Sequence, residues 1–403
     1  MTAPGHDTAA VPAVIGVYIH LPWCVRKCPY CDFNSHVAPE RLPERQYLDA
    51  LLRDLRYSTA TLAERRVGSV FLGGGTPSLF SGNSIEAILS SLMEQLEFIP
   101  NAEITLEANP GAVEAGRFEE FRTAGVNRLS LGAQSFADRS LKALGRIHSA
   151  AEIHEAIGAA RTAGFDNINL DVMYALPGQT AAEALDDVAQ ALAWDVPHLS
   201  YYQLTLEPDT HFARFPPLLP DEDTVLAIEQ ASRDRLHAAG YERYEVSAYA
   251  RPGFKAAHNL NYWQFGDYLG LGAGAHSKIT IAGRPHRSMR RRNPTSYMRH
   301  AGTGDALVDK RSLSDAEMVF EFMLNRLRLV APVTPDEFET ATGIPFGTIQ
   351  AELDRLWSEK LMAPSANGWA ATARGRELLD EIIGRFLPDQ PNLCTMTDQD
   401  HQK

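Results

Sequence analysis

With 403 residues, 44% of them apolar and 22% charged, the chain can bury a sizeable core and has room for one large domain plus a smaller one. A formal charge of −13 argues against a non-specific nucleic-acid binder, which needs a basic footprint, so no nucleic-acid partner is expected. Four cysteines in so long a chain exclude a disulfide scaffold, no secretion signal opens it, and no apolar run approaches the ~20 residues that cross a bilayer, so a cytoplasmic protein is expected.

Residues 1–13 read as a flexible tail. Short strand-like runs then alternate with longer helical ones: strands at 15–20, 67–73, 103–109, 127–134, 167–174 and 198–207, helices at 44–60, 84–96, 113–123, 151–163, 181–194 and 221–239. Alternation of this kind points to parallel β–α units, in an open doubly wound sheet or a partial barrel.

The strand faces favour the barrel. Glu103, Thr105, Glu107 and Asn109 alternate with Ile104, Leu106 and Ala108, and Asn167, Asn169 and Asp171 alternate with Ile168, Leu170 and Val172. Ser130, Gly132 and Gln134 likewise share a face, and in "YYQLTLE" Tyr201, Gln203, Thr205 and Glu207 form the more polar set. A parallel sheet covered by helices on both sides reads as continuous apolar runs. A systematically polar face suits the lumen of an incomplete barrel that holds a polar ligand. The expected fold is therefore α/β, a partial (β/α)6 TIM-like barrel over 14–250.

A second region, 251–310, carries "HNLNYW" and the stretch "RPHRSMRRRNPTSYMR" with its six arginines, and reads as a connecting segment. Residues 311–385 switch to consecutive helices, with "PFGTIQAELDRLWSEKLMA" and "NGWAATARG" suggesting a winged-helix-like unit. Its second helix bears Glu352, Asp354 and Glu359 against Arg355 and Lys360, which is no phosphate-binding face. Residues 386–403, with the incidental Cys394, read as disordered.

The chemistry gathers in "CVRKCPYC", where Cys24, Cys28 and Cys31 follow the first strand. Cys28 and Cys31 are in redox-dithiol spacing, and a zinc completed by His20 or His36 is a further reading. Three thiolates on a four-iron cluster would instead leave one iron open to a small molecule. The "GGGTPS" run ends the second strand with glycines that let a ligand approach the backbone, and it lacks the lysine of a phosphate loop.

The C-x3-C-x2-C spacing resembles the signature of radical S-adenosylmethionine proteins, in which three cysteines hold a [4Fe–4S] cluster and S-adenosylmethionine chelates the open iron. "YIHLPWCVRKCPYCDFNSH", "GGGTPS", "RLSLGAQSF", "LDVMYALPGQT" and "HNLNYW" resemble the oxygen-independent coproporphyrinogen III oxidase family and, more closely, its haem-chaperone branch. By that resemblance the cofactor pocket takes Tyr18, Tyr30, Gly74, Thr76, Glu107, Gln134, Arg146 and Asp171, with Gly75 of the same glycine run, and haem takes His258. The oxidase pattern carries a further cysteine where this chain has Phe33, and a longer arm before the cluster than the 23 residues here. The resemblance thus implies a haem carrier rather than a decarboxylating enzyme, with haem as cargo and acceptor haemoproteins, membrane-bound respiratory enzymes among them, as partners. The arginine stretch could pair haem propionates or approach anionic lipid, with solvated surface charge as its plain alternative, and a homodimer stays open.

Overall fold

The computed structural model describes residues 12–60, 62, 65–111 and 116–388. Residues 1–11, 113–115 and 389–403 lie outside these, and with them most of both expected tails, Cys394 and the start of the helix expected at 113–123.

Six parallel strands build the barrel: β1 (Val14–Leu21), β2 (Arg66–Gly74), β3 (Glu97–Ala108), β4 (Arg128–Gln134), β5 (Ile168–Tyr174) and β6 (His198–Gln203). The main helices between them are α1 (Glu44–Thr59), α2 (Gly82–Gln95), α3 (Phe118–Thr123), α4 (Ala150–Thr162) and α5 (Ala181–Ala193), with a short helix at Asp138–Ala143, and α6 (Glu222–Ala238) follows β6. Their starts are written locally. Ser149 with Glu152 and Thr180 with Glu183 form capping boxes that satisfy otherwise orphaned N–H groups. Apolar residues on the outer strand faces, such as Val70, Leu106, Leu131 and Leu170, pack against Leu55, Leu89, Phe121 and Ile157 of the helices.

The sheet does not stop at residue 250. After β7 (Glu242–Arg243) and β8 (Ala248–Ala250) on the β6 side, helix α7 (Ala257–Trp263) leads into β9 (Tyr268–Leu271), β10 (His276–Ile281), β11 (Arg284–Arg290) and β12 (Leu307–Ser312). The strand order is β12-β11-β10-β9-β1-β2-β3-β4-β5-β6-β8-β7, a twelve-stranded open sheet among the described residues. The segment expected to be a connector is thus an antiparallel extension seated on the β1 edge through parallel pairing of β9 with β1. Short hairpin strands carry too little β–α rhythm to announce themselves.

The same extension redefines the arginine stretch. Arg290 is buried on Asp54 of α1 (Nε to Oδ2 2.6 Å), Arg287 donates to Glu321 and Arg284 pairs with Asp315 at 3.0 Å. Half of the six arginines therefore fasten protein to protein, and only Arg291, Arg292 and Arg299 are without a carboxylate partner among the described residues.

The short α8 (Pro294–His300) precedes β12, and a second unit follows, built of α9 (Asp315–Arg326), α10 (Pro335–Thr342) and α11 (Gln350–Ser358), then the hairpin of β13 (Met362–Ser365) and β14 (Gly368–Ala371). Phe322, Phe338, Phe346, Leu356 and Trp369 form its own core, which also takes in Phe265 from the loop after α7. Phe386 is buried in that core, so the ordered chain runs past the expected boundary at 385. Arg328 bonds Glu245 at 3.2 Å and Val330 donates to the Tyr244 carbonyl, so this unit rests beside α7, beneath the barrel.

Asp54 accepts from Arg290 and, at 2.9 Å, from the Tyr297 hydroxyl, all fully buried. Asp54→Ala leaves a guanidinium buried without its counter-charge, which costs about 3–5 kcal/mol. Urea unfolding should show that loss, and Asp54→Leu with Arg290→Met should recover most of it; an unchanged midpoint for the single variant would contradict the role given to the pair.

Candidate functional site

The lumen is lined by alternate residues of the six strands. In register, Tyr18 of β1 lies beside Phe71, Phe71 beside Thr105, and Thr105 beside Arg128. Glu107 lies beside Ser130, Ser130 beside Asn169, and Asn169 beside His198, with Asp171 beside Ser200. The expected polar face is therefore the inner face for β3, β4 and β5. For β6 the phase is the reverse of the expectation. Tyr201 points outward, its hydroxyl 2.8 Å from Ser232 of α6, and Tyr202 points inward, donating to Gln134 Oε1 at 2.8 Å. Two tyrosines in succession hide the pleat's phase, which the pairing of Ser200 with Asp171 sets. β6 also ends at Gln203 instead of 207, and Leu204, Thr205 and Glu207 beyond it line the cavity.

At the carboxyl ends of the strands this lumen opens into a cavity of ≈ 400 Å³, within the range that holds a cofactor-sized molecule. Cys24, Cys28 and Cys31, all free thiols, border it. So do Tyr30, Gly74, Gly75, Thr76, Glu107, Gln134, Arg146 and Asp171. Every residue expected at the pocket is there except Tyr18, whose hydroxyl meets His20 Nδ1 at 3.0 Å one layer below. Asn109, Tyr202 and His148 also line it and were not foreseen. Asn109 stood on the polar face, and its role appears only in the fold: it donates to Thr76 Oγ1 at 2.9 Å and accepts from Arg146 Nη2 at 2.7 Å.

The glycine run is shaped by crowding. Gly74 has φ +109, and a Cβ there would lie 2.4 Å from the His20 ring. A Cβ on Gly75 would meet the Trp23 carbonyl oxygen at 2.6 Å, because Gly75 and Thr76 donate to the carbonyls of Leu21 and Trp23 at 2.8 Å each. The β2 end thus holds the chain entering the cysteine loop. Gln134 is a non-glycine at φ 70, a strained conformation held by Asp187, which accepts from Ser135 Oγ at 2.8 Å and from the Phe136 N–H at 2.6 Å.

The electrostatics are those of a site awaiting positive charge. Burial and the Asp171 charge push the Glu107 carboxyl up to about 8, and burial raises Asp171 as well. Burial likewise holds the Cys24 and Cys31 thiols above the ordinary cysteine range, a direction that a bound metal reverses. Across the cavity Arg146 reaches Cys28 Sγ (3.7 Å) and the Gly132 carbonyl (2.9 Å).

The donor set fits a cluster better than zinc. His20 has no free nitrogen, since Nδ1 meets Tyr18 and Nε2 meets the Asn34 carbonyl at 3.0 Å, and burial pushes its pKa down to about 4, whereas His36 keeps Nε2 without a hydrogen-bond partner. Among the described residues no three His, Cys, Asp or Glu side chains close around a single point. Three thiols beside a polar cavity suit a cuboidal cluster with one open corner.

His258 lies elsewhere. It sits on α7 at the opposite, amino-terminal end of the lumen, fully buried, with Nδ1 2.9 Å from Ser69 Oγ and Nε2 3.1 Å from the Tyr262 hydroxyl. Phe71 stacks on its ring at 5.2 Å, and burial with the Arg128 charge pushes its pKa down to about 3. As it stands the imidazole offers iron no free nitrogen. Tyr262 stands edge-on to His258, and Trp263 lies under the Arg328 guanidinium at 4.3 Å.

Comparison with known proteins agrees with this arrangement. The radical SAM superfamily model matches residues 18–191 and the HemN C-terminal domain matches 313–378. A curated relative, "Heme chaperone HemW" of Haemophilus influenzae, is 44% identical over 381 residues, 93% of this chain and 98% of that protein. The chain belongs to the HemW family. HemW of Escherichia coli is also 44% identical, over 376 residues, and a mouse protein named "Radical S-adenosyl methionine domain-containing protein 1, mitochondrial" is 34% identical across 96% of this chain and 89% of its own length. Among solved structures, coproporphyrinogen III oxidase (HemN) from Escherichia coli superposes with a TM-score of 0.79 at 25% identity, covering 94% of this chain and 90% of that one. The second unit is thus the family's C-terminal domain, and among the described residues no helix is long and apolar enough to cross a membrane.

Two outcomes follow from the cavity. Because the folded pKa of Glu107 is raised, the stability tied to its proton is complete below about 4.5 and is lost as pH climbs through about 8. Calorimetry of ligand-free Glu107→Gln should show Tm rising above the parent by about 2–4 °C at pH 9 with little gap at pH 4.5; a constant offset would contradict it. Gly75→Ala should displace the cysteine loop and lose most bound iron after anaerobic reconstitution, and full iron loading would refute the crowding argument.

Proposed function

We propose that this chain binds haem and passes it to acceptor haemoproteins, with a [4Fe–4S] cluster on Cys24, Cys28 and Cys31 and S-adenosylmethionine in the adjoining cavity. The observation that carries the cofactor reading is the meeting of three free thiols with one polar cavity at the carboxyl ends of the strands. The haem reading comes from relatives named haem chaperones at up to 44% identity. When bound, the cluster supplies an open iron for the amino and carboxylate groups of S-adenosylmethionine.

The residues of this chain divide that task. Glu107 and Asp171 supply buried acceptors for hydroxyl or cationic groups, Arg146 a guanidinium for a carboxylate, and Thr76 with Asn109 the polar wall between them. Tyr30 lies between two of the thiols in sequence and supplies an aromatic face against a base. Phe33, 59% exposed at the mouth, stands where the oxidase pattern has cysteine, which favours carriage of the tetrapyrrole over its decarboxylation. Haem reaches His258 after Ser69 or Tyr262 releases a ring nitrogen. Three free thiols suit the reducing cytoplasm, from which haem is handed to respiratory acceptors.

Anaerobic reconstitution should give a brown protein with about four irons per chain. Haem titration should then show tight binding that His258→Ala weakens about tenfold or more. Unchanged affinity would refute the ligand assignment, and conversion of coproporphyrinogen III to protoporphyrinogen IX would establish the oxidase reading in its place.

A further inference from the structure

The cofactor cavity and the HNLNYW helix occupy opposite ends of one lumen, and a chain of buried hydrogen bonds joins them, branched at Asn169, which also donates to Ser130 Oγ at 2.8 Å and accepts from Ser200 Oγ at 3.0 Å. At the cavity, Asp171 Oδ1 accepts from Asn169 Nδ2 at 2.8 Å. Asn169 Oδ1 then faces His198 Nδ1 at 2.6 Å, and His198 Nε2 faces the Tyr244 hydroxyl at 2.9 Å. Tyr244 Oη accepts the backbone N–H of Ala256, the residue that caps α7, at 3.2 Å. Asn169, His198, Tyr244 and Ala256 are all at most 5% exposed.

With Asp171 as a carboxylate, the direction of each bond is forced. A carboxyl oxygen accepts, so the Asn169 amide must turn its NH₂ to Asp171 and its oxygen to His198. His198 must then donate from Nδ1 and accept at Nε2, which is the neutral tautomer. Tyr244 donates to that nitrogen and accepts from Ala256. Donors thus run one way, from the start of α7 to the carboxyl group in the cavity, and each bond polarises the next. Any group that holds Asp171 as a carboxylate strengthens the whole file, because hydrogen bonds to charged acceptors are the stronger ones.

We propose that His198 and Asn169 are positioning residues that couple the cavity to α7, so that S-adenosylmethionine bound against Asp171 seats the helix and drives haem off it. The haem arm rests on the function proposed above: His258 Nδ1 can meet iron only when α7 moves off Ser69 of β2, and a seated helix opposes that. The coupling is reciprocal, so haem weakens S-adenosylmethionine binding by the same factor.

The test uses the full chain with its cluster reconstituted. In the parent, saturating S-adenosylmethionine should weaken haem binding on the order of 10-fold. Tyr244→Phe keeps the ring and removes the hydroxyl link, and His198→Phe removes both of its bonds; in each the factor should fall to about 1–2. His198→Gln, which can donate and accept at similar reach, should retain most of the coupling, a rescue that a merely space-filling role would not show. Amide hydrogen exchange supplies a readout independent of haem: S-adenosylmethionine should slow exchange across 256–263 in the parent and not in Tyr244→Phe. Equal haem affinity with and without S-adenosylmethionine in the parent, or parent-like coupling in Tyr244→Phe, would overturn the proposal. If the chain takes up no haem at all, the proposed function fails separately, and absent cofactor-dependent protection of 256–263 then overturns the coupling.

Discussion

A polar lumen in an open barrel is the constraint on which the rest of this structure depends. Buried donors and acceptors that find no partner cost on the order of 1–3 kcal/mol each, so an inner face carrying Glu103, Arg128, Asn169, Asp171 and His198 must satisfy itself internally. Most of it does so, Arg128 Nε and Thr105 Oγ1 excepted. The floor is plugged by α7, whose first N–H groups go to Tyr244 and, at 3.0 and 3.1 Å, to Glu103. The roof is left open, and there burial shifts the carboxyls of Glu107 and Asp171 toward their neutral forms, although Glu107 accepts from the Gly74 N–H and Asp171 from Asn169. A ligand that brings positive charge offsets that burial.

The cysteine loop is held by the same economy of contacts. Its entrance is clasped by the β2 end through Gly75 and Thr76, and its far side by Asn34, which donates to the carbonyls of Ala273 and Arg292 at 2.9 Å each. His20 joins the loop to Tyr18 and, through the ring stack with Phe71, to His258. The barrel extension β9–β12 therefore has a purpose beyond covering an edge: it supplies the wall against which the loop is set.

Much of the fold follows from local rules that a sequence carries openly. Strand alternation, capping residues such as Ser149 and Thr180, and the Gly-rich end of β2 all announce themselves within a few residues. The extension and the fate of the arginines do not. Arg290 is indistinguishable in sequence from Arg291 beside it, yet one is buried on Asp54, 236 positions away, and the other donates to the Asp305 carbonyl at the surface. The β6 inversion has a similar cause, because Tyr201 and Tyr202 are equally acceptable on either face and the neighbouring strand decides.

The sequence by itself determined the β–α rhythm, the polar inner face and the three-thiol motif, because each is a pattern of residue types repeated at short, fixed spacing. Strand alternation also put Glu107, Gln134 and Asp171 on the inner face, while Tyr30, Thr76 and Arg146 came from the family resemblance and not from any periodicity. Only the tertiary structure decided that Tyr18 lies beneath the cavity, that Asn109 bridges Thr76 to Arg146, and that His258 is buried at the opposite end of the lumen with both nitrogens engaged. Those facts depend on depth along the barrel axis and on partners far away in the chain, and no local periodicity records either.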